Sequence, residues 1–295
     1  MKTFKEALRE KNFAITAECF LKSETDAESI GYQADILRDS VDAVLLTDNQ
    51  YGQLHMSTLA AARLMLDNDV DPITQLSCRN RNRIVLLADL LGAAALGVTS
   101  LLLVRGNHVP EGFEPRPKAI LDMNATELIA TAMSMKEDER LSSLPDFFLG
   151  GVVTPHGPKP DWIPKKLIEK ADAGAQFALT YVCMDIDLLR GYMKHLVATK
   201  LIRRISMIVS TAVFSSADDA RWLRENRPNV MIPDSILERL AAASDPREEG
   251  IAICAEQLAE LATIPGIAGA NIMASSDLAM IPAAIDAAGL DRGQD

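Results

Sequence analysis

Short runs of consecutive apolar residues alternate along the chain with longer segments in which apolar residues recur every three to four positions. Unbroken apolar runs are typical of strands buried on both faces, and the longer spacing is typical of helices that pack one face on a core. The runs predicted to be strands are residues 13–18, 43–47, 73–77, 100–104, 147–153, 177–182, 205–210 and 267–272.

Helix-period segments lie between and after these runs. Thr25 followed by Glu28 has the spacing of a capping box, which predicts the start of the first of these helices. The predicted helices are residues 25–38, 57–67, 82–96, 125–135, 164–173, 186–199, 216–225, 233–243, 248–262 and 276–288.

The helix predicted over residues 82–96 has the apolar spacing of one buried face. Leu87, Leu91, Ala94 and Ala95 are predicted to form its core-facing side, and Gly97 is the expected stop. Strand–helix alternation repeated eight times favours an α/β fold of the (β/α)8 TIM barrel type over an open sheet. We expect one barrel domain over residues 1–295.

Charge and composition narrow the classes of function. The 41 acidic and 30 basic residues give a net charge of −11, which argues against a nucleic-acid or anionic-membrane surface. The charged N-terminus lacks the apolar run of a signal peptide, and no run of about 18 apolar residues suggests a membrane span. The four cysteines are widely spaced, as expected of reduced thiols in a cytoplasmic protein, and no Cys or His spacing predicts a metal site. The sequence is compatible with a homo-oligomer.

Polar residues follow the predicted strands, where a barrel gathers its chemistry. Glu18 ends the first strand, and a carboxyl group at the mouth of an apolar barrel tends to have a raised pKa that suits a general acid. The alternative for Glu18 is a structural pairing with Arg105 or with a helix N-terminus. The other strand-end positions are Thr47, Asp48, Asn49, Gln75, Ser77, Arg105, Gly106, Asn107, Thr154, His156, Tyr181, Ser210, Phe214 and Asn271.

Two groups of strand-end residues leave alternatives open. Residues 105–107, Arg-Gly-Asn, offer a cation, close backbone approach and an amide to a ligand, or form an ordinary turn with the arginine in a salt bridge. Arg79, Arg81 and Arg83 cluster at a helix start, which indicates an anionic partner or acidic neighbours, and the alternative is a solvated face of the helix. Tyr181 and Phe214 could stack on a flat heterocycle or fill the barrel top. No glycine-rich nucleotide fingerprint is present.

Motifs spread over nearly the whole chain resemble those of a known protein family. They are residues 14–18, 43–49, 72–107, 150–155, 170–177 and 266–271. Together they resemble the methylenetetrahydrofolate reductase family, and residues 78–83, Cys-Arg-Asn-Arg-Asn-Arg, resemble its subgroup with a Cys-Arg-Asp-Arg-Asn motif. The resemblance implies a barrel that uses FAD to pass a hydride from NADH or NADPH to 5,10-methylenetetrahydrofolate, giving 5-methyltetrahydrofolate.

The resemblance also implies roles for single residues. Glu18 matches the family's proton donor, which assists opening of the methylene bridge. Thr47 matches a flavin contact, and Arg105 with Gly106 matches the pair that cradles the flavin. Lys170 matches a lysine that contacts the flavin cofactor. Phe214 matches the phenylalanine that stacks on folate.

Several positions depart from the family pattern. Asn107 stands for an aspartate that contacts folate and tunes the flavin, Gln75 for a histidine, and Tyr181 for a substrate-binding glutamine. Residues 154–158, Thr-Pro-His-Gly-Pro, replace a Tyr-Pro-Glu-Gly-His pattern beside the cofactor, with Pro158 in place of its histidine. Asp277 stands for a folate-side arginine. Thr47, Gln75, Arg105, Gly106, Asn107, Thr154, His156 and Lys170 are therefore predicted to bind cofactor, and Glu18, Asn107, Tyr181 and Phe214 to bind substrate.

The changed positions cluster in the pocket while the scaffold motifs are retained. The first hypothesis is a reductase that uses FAD and NADH or NADPH on the folate substrate. The second is a flavin-free tetrahydrofolate-binding protein or methyl-transfer partner on the same barrel. A third is a binding or structural role without catalysis, because a fold alone does not determine function.

Overall fold

Eight parallel strands close into a barrel in the computed structural model, which describes residues 2–107, 114–139, 141, 145–159 and 161–290, the side chain of Tyr51 excepted. Each strand pairs with the next along the chain, and β1 pairs with β8, where Thr16 lies opposite Asn271. The strands are β1 Ala14–Glu18, β2 Ala43–Leu46, β3 Pro72–Ser77, β4 Ser100–Val104, β5 Phe148–Val153, β6 Phe177–Thr180, β7 Ser206–Val213 and β8 Ile267–Ala274.

Helices alternate with these strands, so the predicted (β/α)8 barrel is confirmed. All the predicted strands and helices are present, with ends that differ by a few residues; the last helix starts at Met280 rather than at residue 276. The helices are α1 Phe4–Glu10, α2 Ala27–Leu37, α3 Thr58–Asp67, α4 Arg83–Leu96, α5 Ala125–Ser134, α6 Lys165–Asp172, α7 Ile186–Ala198, α8 Ala217–Asn226, α9 Asp234–Ala242, α10 Pro246–Thr263 and α11 Met280–Ala288.

The capping box predicted at Thr25 is wrong. Asp26 is the N-cap of α2, and its carboxylate accepts a hydrogen bond of 2.9 Å from the Ser29 amide. The Thr25 hydroxyl instead accepts a bond of 2.9 Å from the Lys22 amide, because the chain turns before the helix starts. A capping box does occur at α1, which the apolar pattern did not predict, between Thr3 and Glu6.

The predicted core-facing side of α4 is also wrong by one position. Leu86, Leu90 and Ala93 are fully buried, whereas Leu87 and Leu91 are exposed. Nearly every residue of this helix is apolar, so the sequence contains no polar stripe that would define its rotation. Its stop at Gly97, in the left-handed conformation, is as predicted.

The amino ends of the strands are closed by aromatic packing. The Phe4 ring of α1 makes edge contacts with Phe148 and Phe177, which stack on each other at 5.0 Å. The Phe4 amide also donates a 2.7 Å hydrogen bond to buried Asp71. Gly150 makes room for this cluster, because a Cβ there would collide with the Phe177 ring. The barrel is therefore filled at one end and can hold a ligand only at the other.

Within the described ranges, no helix combines the length and apolar character needed to cross a bilayer. The same ranges contain no cluster of three His, Cys, Asp or Glu residues arranged to hold a metal ion. All four cysteines are unpaired and buried.

Candidate functional site

A cavity of about 540 Å³ opens at the carboxyl ends of the strands. Apolar side chains from inside the barrel line its depth, and polar residues line its rim. Pockets of this kind, apolar with a few placed polar groups, are typical of small-molecule sites. The predicted site residues that line the cavity are Glu18, Thr47, Gln75, Arg105, Gly106, Asn107, Tyr181 and Phe214.

Glu18 is the acidic group at the end of β1, partly buried in the cavity wall. Burial raises the pKa of its carboxyl group to about 7, and the positive charge of Arg227 acts in the opposite direction. The nearby charge is therefore Arg227, and neither Arg105 nor a helix N-terminus pairs with Glu18 among the described residues. Near neutral pH this carboxyl group is available in both its protonated and its ionised form.

Asp48 holds the ends of β2 and β3 together beneath the cavity. Its buried carboxylate accepts a 2.7 Å hydrogen bond from the Ser77 amide and bonds of 2.5 and 3.1 Å from Arg81. Arg81 also pairs with Asp89 of α4 at 2.8 Å. This ion-pair network positions Thr47, the neighbour of Asp48, on the cavity wall.

Arg79 connects the loops that follow β2, β3 and β4. Its side chain is 2% exposed and donates to the backbone carbonyl of Asn107 at 3.1 Å and to that of Asn49 at 2.8 Å. Arg83, by contrast, pairs with Asp122. Acidic neighbours thus account for Arg81 and Arg83 of the predicted basic cluster, whereas Arg79 bonds to neutral oxygens.

The Arg105–Gly106–Asn107 turn brings backbone to the cavity surface. Gly106 has a φ of +86°, and a Cβ there would lie 2.7 Å from the Cβ of Arg79. Only glycine fits this position without strain. Arg105 lines the cavity, is exposed and makes no ion pair within the described ranges.

The side of the cavity formed by β6, β7 and β8 is a network of buried polar groups. The Thr16 hydroxyl donates to Asn271 Oδ1 at 2.9 Å, and Asn271 Nδ2 donates to the Ser210 hydroxyl at 3.5 Å. The Ser210 amide donates to the Thr180 hydroxyl at 2.9 Å. Ser210 and Asn271 line the cavity, so a ligand there could use their remaining hydrogen-bonding capacity.

Three aromatic side chains border the cavity near β6, β7 and α8. Phe214 is only 1% exposed and packs in an apolar cluster with Ile236 and Leu240, so little of its ring is presented. Tyr181 is partly buried, which raises the pKa of its phenol. Trp222 is 53% exposed and lies 5.2 Å from the Arg227 guanidinium.

Three predicted cofactor contacts do not line this cavity. Thr154 and His156 follow β5, and the His156 ring packs against Trp162 at 4.5 Å and Tyr192 at 5.5 Å. Lys170 lies on α6, where its stem covers the backbone of Gly151 on the outer face of β5. Burial lowers the pKa of the Lys170 amine.

Residues that the sequence pattern missed also line the cavity. Trp222, Arg227 and Asp219 come from α8 and its C-terminal end, and Lys22 comes from the turn after β1. Asp219 accepts hydrogen bonds from Ser215 and Ser275 on the rim. The sequence signal for the residues of α8 was a helix with polar and aromatic residues that follows the end of a predicted strand. Asp277 does not line the cavity and pairs with Arg247 at 2.8 Å.

The sequence and the fold are similar to those of known proteins. The sequence matches the family described as methylenetetrahydrofolate reductase over residues 3–276. No curated protein matches the chain.

Two solved structures share the fold. One is a protein from Clostridium thermocellum that binds two copies of 5-methyl-5,6,7,8-tetrahydrofolic acid; it is 15% identical, 96% of each chain is covered, and the TM-score is 0.68. The other is DmoA from Hyphomicrobium sulfonivorans, 10% identical, with 92% of this chain and 85% of that chain covered and a TM-score of 0.54. At these identities the likeness shows the fold alone.

Proposed function

Because this chain belongs to the methylenetetrahydrofolate reductase family, we propose that it reduces 5,10-methylenetetrahydrofolate to 5-methyltetrahydrofolate in folate one-carbon metabolism. The reaction adds one hydride and one proton to the methylene bridge and breaks one of its two C–N bonds. The site must therefore hold a proton near the bridge nitrogen and place an electron carrier beside the bridge carbon.

The raised pKa of Glu18, about 7, is the observation that carries this proposal. A carboxyl group with that pKa is substantially protonated at neutral pH and can donate its proton to the nitrogen that leaves the bridge. The donation makes that nitrogen a better leaving group, so the C–N bond opens and the carbon accepts a hydride. Glu18 is then reprotonated from solvent.

The donor set of the cavity fits a flavin ring. Gln75 and Asn107 offer side-chain amides, Thr47 offers a hydroxyl, and Gly106 offers a close-lying backbone, all suited to the polar edge of a planar heterocycle. FAD, when bound, would supply the hydride that it takes from NADH or NADPH. Gln75 and Asn107 are neutral amides where the family has an imidazole and a carboxylate, so these two side chains add no charge to this edge.

The folate would occupy the remaining part of the same cavity. Tyr181 presents a partly buried ring, and Asn107 presents an amide that can bond to the pterin. The fold-sharing protein from Clostridium thermocellum binds 5-methyltetrahydrofolic acid, which supports the ligand class. We place the reaction in the cytoplasm, in keeping with four unpaired cysteines.

Glu18→Gln tests the proposal. We expect the variant to keep its affinity for 5-methyltetrahydrofolate and to lose about 10²–10⁴-fold in turnover, the usual contribution of a positioned acid. The wild-type rate should fall as the pH rises through about 7, as the Glu18 proton is lost. Glu225→Gln, an exposed change outside the cavity, is the matched control. Full turnover in Glu18→Gln would sink the proposal.

A flavin-free tetrahydrofolate protein is the second candidate. Its support is that Thr154, His156 and Lys170, implied flavin contacts, do not line the cavity. The visible spectrum of the purified protein, before and after addition of FAD, distinguishes the reductase from the flavin-free protein. Flavin bands that persist through gel filtration favour the reductase. Colourless protein that binds 5-methyltetrahydrofolate but retains no FAD favours the second candidate.

A further inference from the structure

The outward side of α4 carries apolar residues, where a surface helix normally carries polar ones. Ile84 is 74% exposed, and Leu87 and Leu91 are exposed on the same side of the helix. Ala88 and Ala95 are also exposed there. These five residues recur every three or four positions, so they form one continuous stripe opposite the buried side of the helix. We term it the α4 stripe.

The stripe differs from the rest of the described surface in hydrophobicity and in charge. Four of the nine large hydrophobic side chains that are exposed in the described part of the chain lie on α4. Asp89 is the one charged residue between positions 84 and 96 of the sequence. It pairs with Arg81 at 2.8 Å. A contiguous apolar face of this kind is typical of an interaction surface.

The surroundings of the stripe have the layout of a protein interface. α4 packs between α3 and α5 in the outer ring of the barrel, and its 14 residues extend for about 21 Å. At one end of α4, Arg63 pairs with Asp67 and donates to the Leu96 carbonyl; at the other end, Arg83 pairs with Asp122. An apolar centre with a polar rim is usual for interfaces. The roughly 800 Å² per partner of a stable interface would take in α4 and the adjoining sides of α3 and α5.

The order of large and small residues makes the stripe complementary to itself. A two-fold axis beside the middle of α4 sets this helix antiparallel to the same helix of a second copy. Ile84 then lies opposite the partner's Ala95. Ala88 likewise lies opposite the partner's Leu91. Each large side chain therefore faces a small one, which allows the two helices to interdigitate at close separation.

We propose that the α4 stripe packs against the α4 stripe of a second copy of this chain, forming a two-fold dimer. A chain of net charge −11 repels its own copies, so contact is most favourable through a face that carries no charge. A basic partner protein would instead be attracted to acidic surface, which the stripe lacks. Antiparallel pairing also places Arg83 near the carboxyl end of the partner's α4, where a positive charge is favourable. Burial in the dimer accounts for the apolar character of Leu87 and Leu91, which the sequence pattern assigned to the core.

Analytical ultracentrifugation of the full chain tests the dimer. We expect the wild-type protein to sediment as a dimer at micromolar concentrations. Leu91→Glu should weaken self-association by about 100-fold or more, because each copy would bury an unpaired carboxylate. Tyr32→Glu is the matched control and should dimerise like the wild-type protein, since Tyr32 is an exposed residue of α2, which α3 separates from α4. A monomeric wild-type protein, or equal self-association of the wild-type protein and Leu91→Glu, overturns the inference.

Ligand affinity and unfolding show whether Leu91→Glu retains its fold. Leu91 is exposed in the monomer and does not line the cavity, so the variant should bind 5-methyltetrahydrofolate like the wild-type protein. The wild-type unfolding midpoint should rise with protein concentration, and that of Leu91→Glu should not. Unfolding free energies measured well below the dissociation constant of the dimer refer to the monomer alone. A wild-type midpoint that is independent of concentration would contradict the dimer.

Disulfide cross-linking tests the antiparallel register without weakening the contact. Residues 84 and 95 of one helix are about 16 Å apart, too far for a disulfide within one chain. The variant that combines Ile84→Cys with Ala95→Cys should therefore form a linked dimer when treated with oxidised glutathione, and neither single variant should do so. The four native cysteines are buried, which keeps the background low. Equal cross-linking of a single variant, or none of the double variant, would contradict the proposed pairing.

Discussion

At the scale of single residues, burial rather than local sequence gives this site its reactive groups. Glu18 is a strand-end glutamate whose pKa is raised because the barrel mouth removes it from water. Arg79 is a buried cation whose bonds to backbone carbonyls hold three loops around the cavity. The strand-end position of Glu18 predicted its raised pKa, whereas the bonds of Arg79 depend on what the folded chain packs around it.

The raised pKa of Glu18 makes stability depend on pH. The pKa of its carboxyl group changes from 4.5 in an unfolded chain to about 7 in the folded protein, so the folded state binds the proton more tightly. The stabilisation of the folded state by this tighter proton binding is complete below pH 4.5 and is lost as the pH rises through 7. We expect the wild-type protein to lose about 2–3 kcal/mol between pH 5 and pH 8 from this group alone.

Urea unfolding at the two pH values measures that loss. Glu18→Gln cannot ionise, so its unfolding free energy should change less between pH 5 and pH 8 than that of the wild-type protein. Asp71, whose pKa burial raises to about 6, contributes in the same direction in both proteins and cancels in the comparison. An identical pH dependence for the two proteins would show that Glu18 titrates normally.

At the scale of elements, α4 shows where an apolar pattern is insufficient. The helix presents apolar residues on all sides, so several rotations bury equivalent surface. The Arg81–Asp89 ion pair and the packing of Leu86 and Leu90 determine which rotation occurs. The ends of α2 and α3 agree with the helices predicted from the spacing of apolar residues to within two residues.

Neighbouring leucines of α4 provide a direct test of this rotation. Leu90 is fully buried, and Leu90→Ala should lower the unfolding free energy by about 2–5 kcal/mol. Leu91 is 44% exposed, and Leu91→Ala should lower it by about 0.5 kcal/mol or less. Chemical denaturation of the two variants gives both values. A larger loss at Leu91 than at Leu90 would restore the rotation expected from the sequence.

At the scale of the whole molecule, the two ends of the barrel have different roles. The amino ends of the strands are sealed by Phe4 of α1 with Phe148 and Phe177, whereas the carboxyl ends open into the cavity. In barrels of this kind the closed end serves stability and the open end carries the chemistry.

Phe4→Ala should therefore reduce stability without changing ligand affinity. Removal of a buried aromatic ring costs about 3–5 kcal/mol, and Phe4 lies at the end of the barrel away from the cavity. The unfolding free energy and the dissociation constant for 5-methyltetrahydrofolate are the two measurements. Phe214→Ala, which removes a buried ring from the cavity wall, should change both. A weakened ligand affinity in Phe4→Ala would contradict this separation.

The sequence by itself determined the barrel, the order of its strands and the family, because strand and helix periodicities and local motifs are properties of neighbouring residues. It also determined that Glu18, Thr47, Gln75, residues 105–107, Tyr181 and Phe214 end their strands on one side, since carboxyl ends of parallel strands share an edge. Only the tertiary structure decided which further groups join them. Thr154, His156 and Lys170 pack elsewhere, and Trp222 and Arg227 line the cavity instead, because loop and helix positions depend on contacts between residues far apart in the chain.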